Sequence, residues 1–226
     1  MQLEKIKKRK DVDKMKTGIF IAFEGGDHVG KSTISKFLVK ELNKIGLPTE
    51  WTKEPGGTNC PVSEKIRIII LDPENDICDK TEVLLFAASR AQHIEKFILP
   101  SLKKGINVVS DRFVLSSHVY QGIARKMGLS RVKTINNFAR EGLKPDITFL
   151  LDLDVEKAQK RTRQKKKDRI ELENIKFHQK IRKGFLRLAK KDPAIIIINT
   201  EQSERRVCQK VLKHTLRIIK QKRRKI

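Results

Sequence analysis

Cysteine is nearly missing from this chain. Its 226 residues include three, Cys60, Cys78 and Cys208, odd in number, far apart and in no metal-ligand spacing. That excludes a disulfide framework and a cysteine-based zinc site, and the three read as ordinary thiols of a reducing, cytoplasmic setting. Aromatic residues are sparse too, at 5% of the chain, with one Trp and one Tyr. No apolar run approaches the ~20 residues of a membrane span. The longest, around Ile195–Ile198, is strand-sized, so no membrane partner is expected. Met1 to Thr17 holds seven Lys/Arg and three Asp/Glu without an apolar core, which does not fit a secretory signal. Its acidic residues and lack of Ser also disfavour a mitochondrial targeting role, leaving a basic, flexible extension.

Acidic residues are the other shortage. There are 27 Asp+Glu against 51 Lys+Arg, a formal charge of +24. The excess gathers at the N-terminal extension, at Lys157–Arg169 and in the tail from Arg205 to Lys225, which has ten Lys/Arg and no acid. One reading is a nucleic-acid footprint, since phosphate neutralisation drives such binding. The other is a lysine-rich surface around a site for an anionic substrate. Stacking aromatics are not interleaved in the tail, which argues against single-strand binding. No specific nucleic-acid partner is expected.

What is present centres on one stretch, Ile19 to Thr33. Five apolar residues, Ile19 to Phe23, have the length of a strand buried on both faces. Then comes Gly25-x-x-x-x-Gly30-Lys31-Ser32, the Walker A pattern, followed by helix-period residues Ile34, Phe37, Leu38, Leu42 and Ile45 and a stop at Gly46. Glycines let the backbone turn its N–H groups inward around a phosphate, and the helix N-terminus adds partial positive charge. The cradle is Gly25, Gly26, Asp27, His28, Val29, Gly30, Lys31, Ser32 and Thr33. Lys31 can reach the β- and γ-phosphates of ATP, and the Ser32 hydroxyl can ligate Mg²⁺.

Further strands read from Pro48 up to the Pro55-Gly56-Gly57 turn, from Ile106 into the polar pair Asp111-Arg112, over Pro145–Asp152 and over Ala194–Ile198. Helical periodicity appears around Ile66, Ile69 and Ile70, with Arg67 turned away from them. It recurs at Thr81–Lys103, Leu115–Gly122, Arg131–Glu141, Val155–Asp168, Glu173–Lys191 and Glu204–Lys220. Apolar strands alternating with helices mean an α/β fold: a P-loop NTPase-type, three-layer α/β/α arrangement around a five-stranded parallel sheet. The strand order is not readable from sequence. Two loops at strand ends stand out, Glu54-Pro55-Gly56-Gly57 and Asp111-Arg112, because ligands bind at the carboxyl ends of parallel strands.

Fold alone leaves switches, motors and kinases open. The chain resembles the thymidylate kinase (dTMP kinase) family, of bacterial type, from about Gly18 to Lys220. The resemblance is carried by Phe23-Glu24-Gly25-Gly26-Asp27 with Gly30-Lys31-Ser32-Thr33, and by Glu54-Pro55-Gly56-Gly57-Thr58. It continues through Leu84-Leu85-Phe86-Ala87-Ala88-Ser89-Arg90-Ala91-Gln92, Asp111-Arg112-Phe113, Ser116-Ser117 and Tyr120-Gln121-Gly122. Pro145-Asp146, Leu150-Leu151-Asp152-Leu153 and Asp168-Arg169-Ile170-Glu171 complete it. The resemblance implies Mg-ATP-dependent phosphorylation of dTMP to dTDP by a homodimeric enzyme. It also divides the chain into an extension (1–17), a kinase domain (18–222) with a mobile basic LID at about 156–171, and a basic tail (223–226).

It further implies residue roles. Arg112 grips the acceptor phosphate, Asp111 supports the Mg²⁺ site beside Ser32, Phe86 stacks on thymine and Arg90 donates to its carbonyl edge. Tyr120 lies under the sugar and disfavours a 2′-hydroxyl. Asp27 engages the sugar or the arginines around the acceptor, Glu54 shapes the same cleft, Arg67 meets the acceptor phosphate, and Ser117 and Gln121 line the pocket. The P-loop has His28-Val29 where one subtype has a basic residue, and a neutral His28 is a poor substitute for that charge. Arg163 or Lys165 of the LID is therefore expected to supply the transition-state cation. The Arg112/Arg67 pair argues against a nucleoside kinase, whose acceptor has no phosphate for them to hold.

Overall fold

The computed structural model describes residues 18–161 and 167–224. The first strand, β1 (Phe20–Glu24), is buried at every position and lies at the centre of a parallel sheet. The other elements follow as α1 (Lys31–Lys44), β2 (Thr49–Lys53), α2 (Pro61–Leu71), α3 (Asp79–His93), α4 (Leu99–Lys103), β3 (Asn107–Asp111), α5 (Val114–Ser117) and α6 (Leu129–Arg140). The chain continues with β4 (Ile147–Asp152), α7 (Val155–Lys160), α8 (Ile175–Ala189), β5 (Ile195–Asn199) and α9 (Glu204–Arg224). The strand order is β2-β3-β1-β4-β5. Strand β1 pairs with β3 on one side and β4 on the other, so the loops leaving β1 and β3 diverge at a topological switch point.

Alternation along β1 sorts its side chains between two layers. Ile21 and Phe23 join Leu38, Leu42, Phe149 and Val211, packing α1 and α9 on one face. Phe20 and Ala22 join Ile94, Ile98 and Val108 on the other. A separate cluster of Tyr120, Phe177, Ile181 and Phe185 seats α8 beside the Tyr120 segment. Both faces of β1 are therefore dry, which is why its sequence is a continuous apolar run.

The parallel sheet matches the expectation; several helical limits do not. The run from Thr81 to Lys103 begins at Asp79 and is interrupted by a π-helical turn, Ile94–Ile98, just ahead of Pro100, which lacks the N–H an unbroken helix would use. The Leu115–Gly122 segment becomes one turn of α5 and a π-helical stretch, His118–Ala124. Such bulges re-aim neighbouring side chains and are frequent at functional sites. The helix expected over Val155–Asp168 ends at Lys160, where the sequence enters Arg161-Thr162-Arg163-Gln164-Lys165-Lys166-Lys167 and like charges at helical spacing repel. Arg163 and Lys165, like the extension 1–17 and residues 225–226, lie outside the described residues. Helix α9 runs to Arg224, beyond the helical limit expected at Lys220. Ile70 is buried as expected, but Ile69 is 47% exposed, because only one side of α2 faces the protein.

Leu42 is fully buried between α1 and the sheet, away from the strand ends. Leu42→Ala is expected to cost about 2–5 kcal/mol of stability, read from urea unfolding, with turnover per folded molecule retained. A loss below ~1 kcal/mol would contradict the packing described.

Candidate active site

The Walker A loop joins β1 to α1 at the switch point. Gly25 has φ +137°, and a Cβ there would lie 2.3 Å from the Leu151 carbonyl oxygen. Gly30 closes the turn at φ +97°. Glycine is needed at both positions, at the first for space and at both for conformation. Lys31 Nζ donates to the Gly26 carbonyl at 2.5 Å, folded back over the loop. Burial and the nearby Arg112 lower its pKa to about 8, as expected of an ammonium awaiting an anion. Ser32 Oγ donates to Asp111 Oδ2 at 2.5 Å, so the hydroxyl and the carboxylate meet at the end of β3.

That pair suits Mg²⁺. Among the described residues no cluster of three or more His, Cys, Asp or Glu could hold a metal alone. A hard cation using one or two protein oxygens, water and a ligand's phosphates needs no such cluster.

Arg112 follows Asp111 with φ +72°, a conformation uncommon outside glycine. Its backbone N–H donates to Phe23 O at 2.8 Å. Its guanidinium donates through Nη1 to Gly25 O at 2.8 Å and Ser116 Oγ at 3.1 Å, and through Nη2 to Asp27 Oδ1. The guanidinium also lies 5.2 Å from the centre of the Tyr120 ring. Tyr120 OH donates to Asp27 Oδ2 at 2.9 Å. Burial works against an ionised Asp27, but Arg112 and Lys31 outweigh it and hold its pKa at about 2.

Beside this arginine lies a cavity of about 80 Å³ bounded in part by Phe86, Arg90, Arg112, Ser117, Tyr120 and Gln121. Glu54 and Arg67 also reach it. Arg90 is 2% exposed and largely committed to the protein: Nε donates to Glu54 Oε2 at 2.7 Å, Nη1 to Ser117 Oγ at 3.0 Å and to Asn136, and Nη2 to Phe113 O at 3.2 Å. Of its five N–H groups, one is left for a ligand. Arg67 donates to Pro55 O at 2.7 Å, and burial lowers its pKa. It turns away from the apolar side of α2, as expected, and toward the cleft. On the other side of Arg112 a larger cleft of about 910 Å³ runs along the P-loop to Arg161, Thr200 and Gln202.

The structure thus brings together every described residue singled out from sequence. His28 faces Glu171 Oε1 at 3.3 Å, and burial lowers its pKa, which favours the neutral ring. What sequence reasoning missed is the supporting layer. Glu24, 1% exposed, accepts from Phe113 N at 3.0 Å, Ser116 N at 3.2 Å and Ser116 Oγ at 2.5 Å, fixing the turn that carries Arg112. Asn136 and Glu82 support Arg90 and Gln121 in the same way. Their signal was weak because Glu82 lies on a helix, where a charged residue usually faces solvent, while Glu24 ends a strand and Asn136 is one of many polar residues on its helix.

Burial raises the Glu24 pKa from 4.5 to about 7. Between those values the folded chain keeps a proton that the unfolded chain has lost, so Glu24 lowers stability progressively as pH rises through that window, by at most about 3 kcal/mol. Glu24→Gln has no such proton to release. Urea unfolding at pH 5 and pH 8 is expected to show the parent losing stability relative to the variant at the higher pH, and an unchanged difference would contradict this.

The family model for thymidylate kinase matches residues 23–211. The chain is 51% identical over 181 residues to a thymidylate kinase of Caldanaerobacter subterraneus subsp. tengcongensis, covering 80% of this chain and 86% of that one. It is 46% identical over 202 residues to one from Lactobacillus acidophilus, covering 86% and 92%. Among solved structures it is similar to thymidylate kinase from Ehrlichia chaffeensis, with a TM-score of 0.72 and 30% identity over 88% of this chain and 99% of that one.

Proposed function

The chain belongs to the thymidylate kinase family, and from that premise we propose how its cleft converts ATP and dTMP into ADP and dTDP. The observation that carries the reading is the position of Arg112, tied to the P-loop through Gly25 O and Asp27 and bordering both cavities. ATP lies along the larger cleft with its phosphates in the Gly25–Ser32 cradle. The dTMP base enters the smaller cavity against Phe86, and its phosphate meets Arg112 and Arg67.

An oxygen of the acceptor phosphate attacks the γ-phosphorus while the bond to the β-phosphate oxygen breaks. The attacking group is already an oxyanion, so no strong general base is required, and catalysis is positioning plus charge stabilisation. Lys31 and Arg112 supply cations on either side of the transferring group. Arg163 or Lys165 of the LID adds another, a role that the neutral His28 leaves open. Ser32 and Asp111 would hold Mg²⁺, which when bound would neutralise part of the negative charge on the phosphate oxygens. Tyr120, held by Asp27, disfavours a ribose 2′-hydroxyl, and Arg90 offers its remaining N–H to the base.

Turnover is indifferent to added DNA. The enzyme is a cytoplasmic homodimer. Its three free cysteines fit a reducing compartment, and no helix among the described residues is long and apolar enough to cross a membrane. Val62 and Ile69, seven residues apart on α2, and Leu84 on α3 are at least 47% exposed and would be covered by a second copy.

Arg112→Ala is expected to lose on the order of 3 kcal/mol of transition-state stabilisation, seen as a fall in kcat/KM for dTMP. Near-parental kcat/KM would remove Arg112 from this role. Lys31→Ala is expected to fold, by circular dichroism, and to fail at turnover, so retained activity would overturn the phosphate-cradle assignment.

A further inference from the structure

Gln121 is 1% exposed and lines the smaller cavity, yet its Oε1 has no hydrogen-bond partner among the described residues. Its Nε2 is engaged, donating to Glu82 Oε1 at 2.8 Å. Glu82, itself 1% exposed on α3, also accepts from Arg169 Nη2 at 2.6 Å and Arg125 Nη2 at 3.4 Å. A carboxylate offers acceptors and no donor, so only the NH₂ end of the Gln121 amide can face it. The carbonyl end is left over as a buried acceptor, which is costly until something donates to it.

We propose that Glu82 is a specificity-positioning residue: by holding Gln121 Nε2 it presents Gln121 Oε1 as a fixed acceptor for the ring N–H of a 4-oxo pyrimidine. This rests on the reading of the smaller cavity as the dTMP pocket. A 4-amino pyrimidine carries an unprotonated ring nitrogen at the same place, so acceptor meets acceptor and neither is satisfied. Without Glu82 the amide can rotate and offer its NH₂ to that nitrogen. Glu82 therefore discriminates between thymine and cytosine without touching either. The same carboxylate binds Arg169, whose backbone N–H donates to Leu71 O at 3.1 Å and whose neighbours Asp168 and Ile170 line the cavity. The return limb of the LID is thereby fastened to the wall that Gln121 belongs to.

The test is the ratio of kcat/KM for dTMP over dCMP in the parent, Glu82→Gln, Gln121→Ala and the double variant. In Glu82→Gln the new amide can donate to Gln121 Oε1 and favour the rotated form. The ratio is expected to fall about tenfold in that variant and by a similar amount in Gln121→Ala. Because Glu82 acts through Gln121, the double variant is expected to lose no more than Gln121→Ala alone. A parental ratio in folded Glu82→Gln, or a further drop in the double variant, would overturn the proposal. Should Glu82→Gln not fold, Gln121→Ala still decides, since a parental ratio there removes the acceptor from recognition. Failure of the parent to turn over dTMP would instead refute the function proposed above, so the two failures are distinguishable.

Discussion

The cleft depends on one ion pair, Arg112 with Asp27. It joins the turn after β3 to the loop after β1, two segments that parallel pairing brings side by side but does not lock. Its partners extend in both directions. Gly25 O and Asp27 tie the guanidinium to the phosphate cradle, while Ser116 and the Tyr120 ring tie it to the cavity wall. Partial burial makes the pair more than a surface contact, because each charge without the other would sit in a poorly solvated cleft.

The arrangement separates supporting carboxylates from working cations. Glu24 satisfies two backbone N–H groups and a hydroxyl, Glu54 takes Arg90 Nε, and Glu82 takes Gln121, Arg125 and Arg169. Each is 4% exposed or less, so these acids shape side chains in place of meeting solvent. The cations nearer the clefts, Lys31, Arg67 and Arg112, retain donors for anions. A site for two phosphorylated substrates needs this excess of positive charge, and the acids behind it keep the cations from drifting apart.

The fold was largely legible in sequence because its central strands, β1, β3 and β4, are buried along most of their length and read as short runs rich in apolar residues, set off by Gly and Pro. The P-loop was legible because its chemistry needs glycines and a lysine at fixed spacing. Limits failed where a local rule met a competing one: Pro100 and the π-helical turn before it, or the charge run after Lys160. Strand order depends on crossover packing, which no single segment encodes. The resemblance named the residues lining the cleft, and the structure brings the described ones together. Sequence was silent about Glu24, Glu82 and Asn136 as supports. A buried polar side chain, at a strand end like Glu24 or on a helix like Glu82 and Asn136, is spelled like an exposed one, and only its partners from distant segments reveal it.

The most direct test of the account is an ADP-release assay with Mg-ATP against dTMP, dUMP, dCMP, dGMP, UMP and thymidine. The account predicts strong preference for dTMP, with dUMP a distant second and thymidine inert because it has no phosphate for Arg112. Equal turnover of thymidine, or no turnover of any acceptor by a protein that still binds ATP, would contradict it.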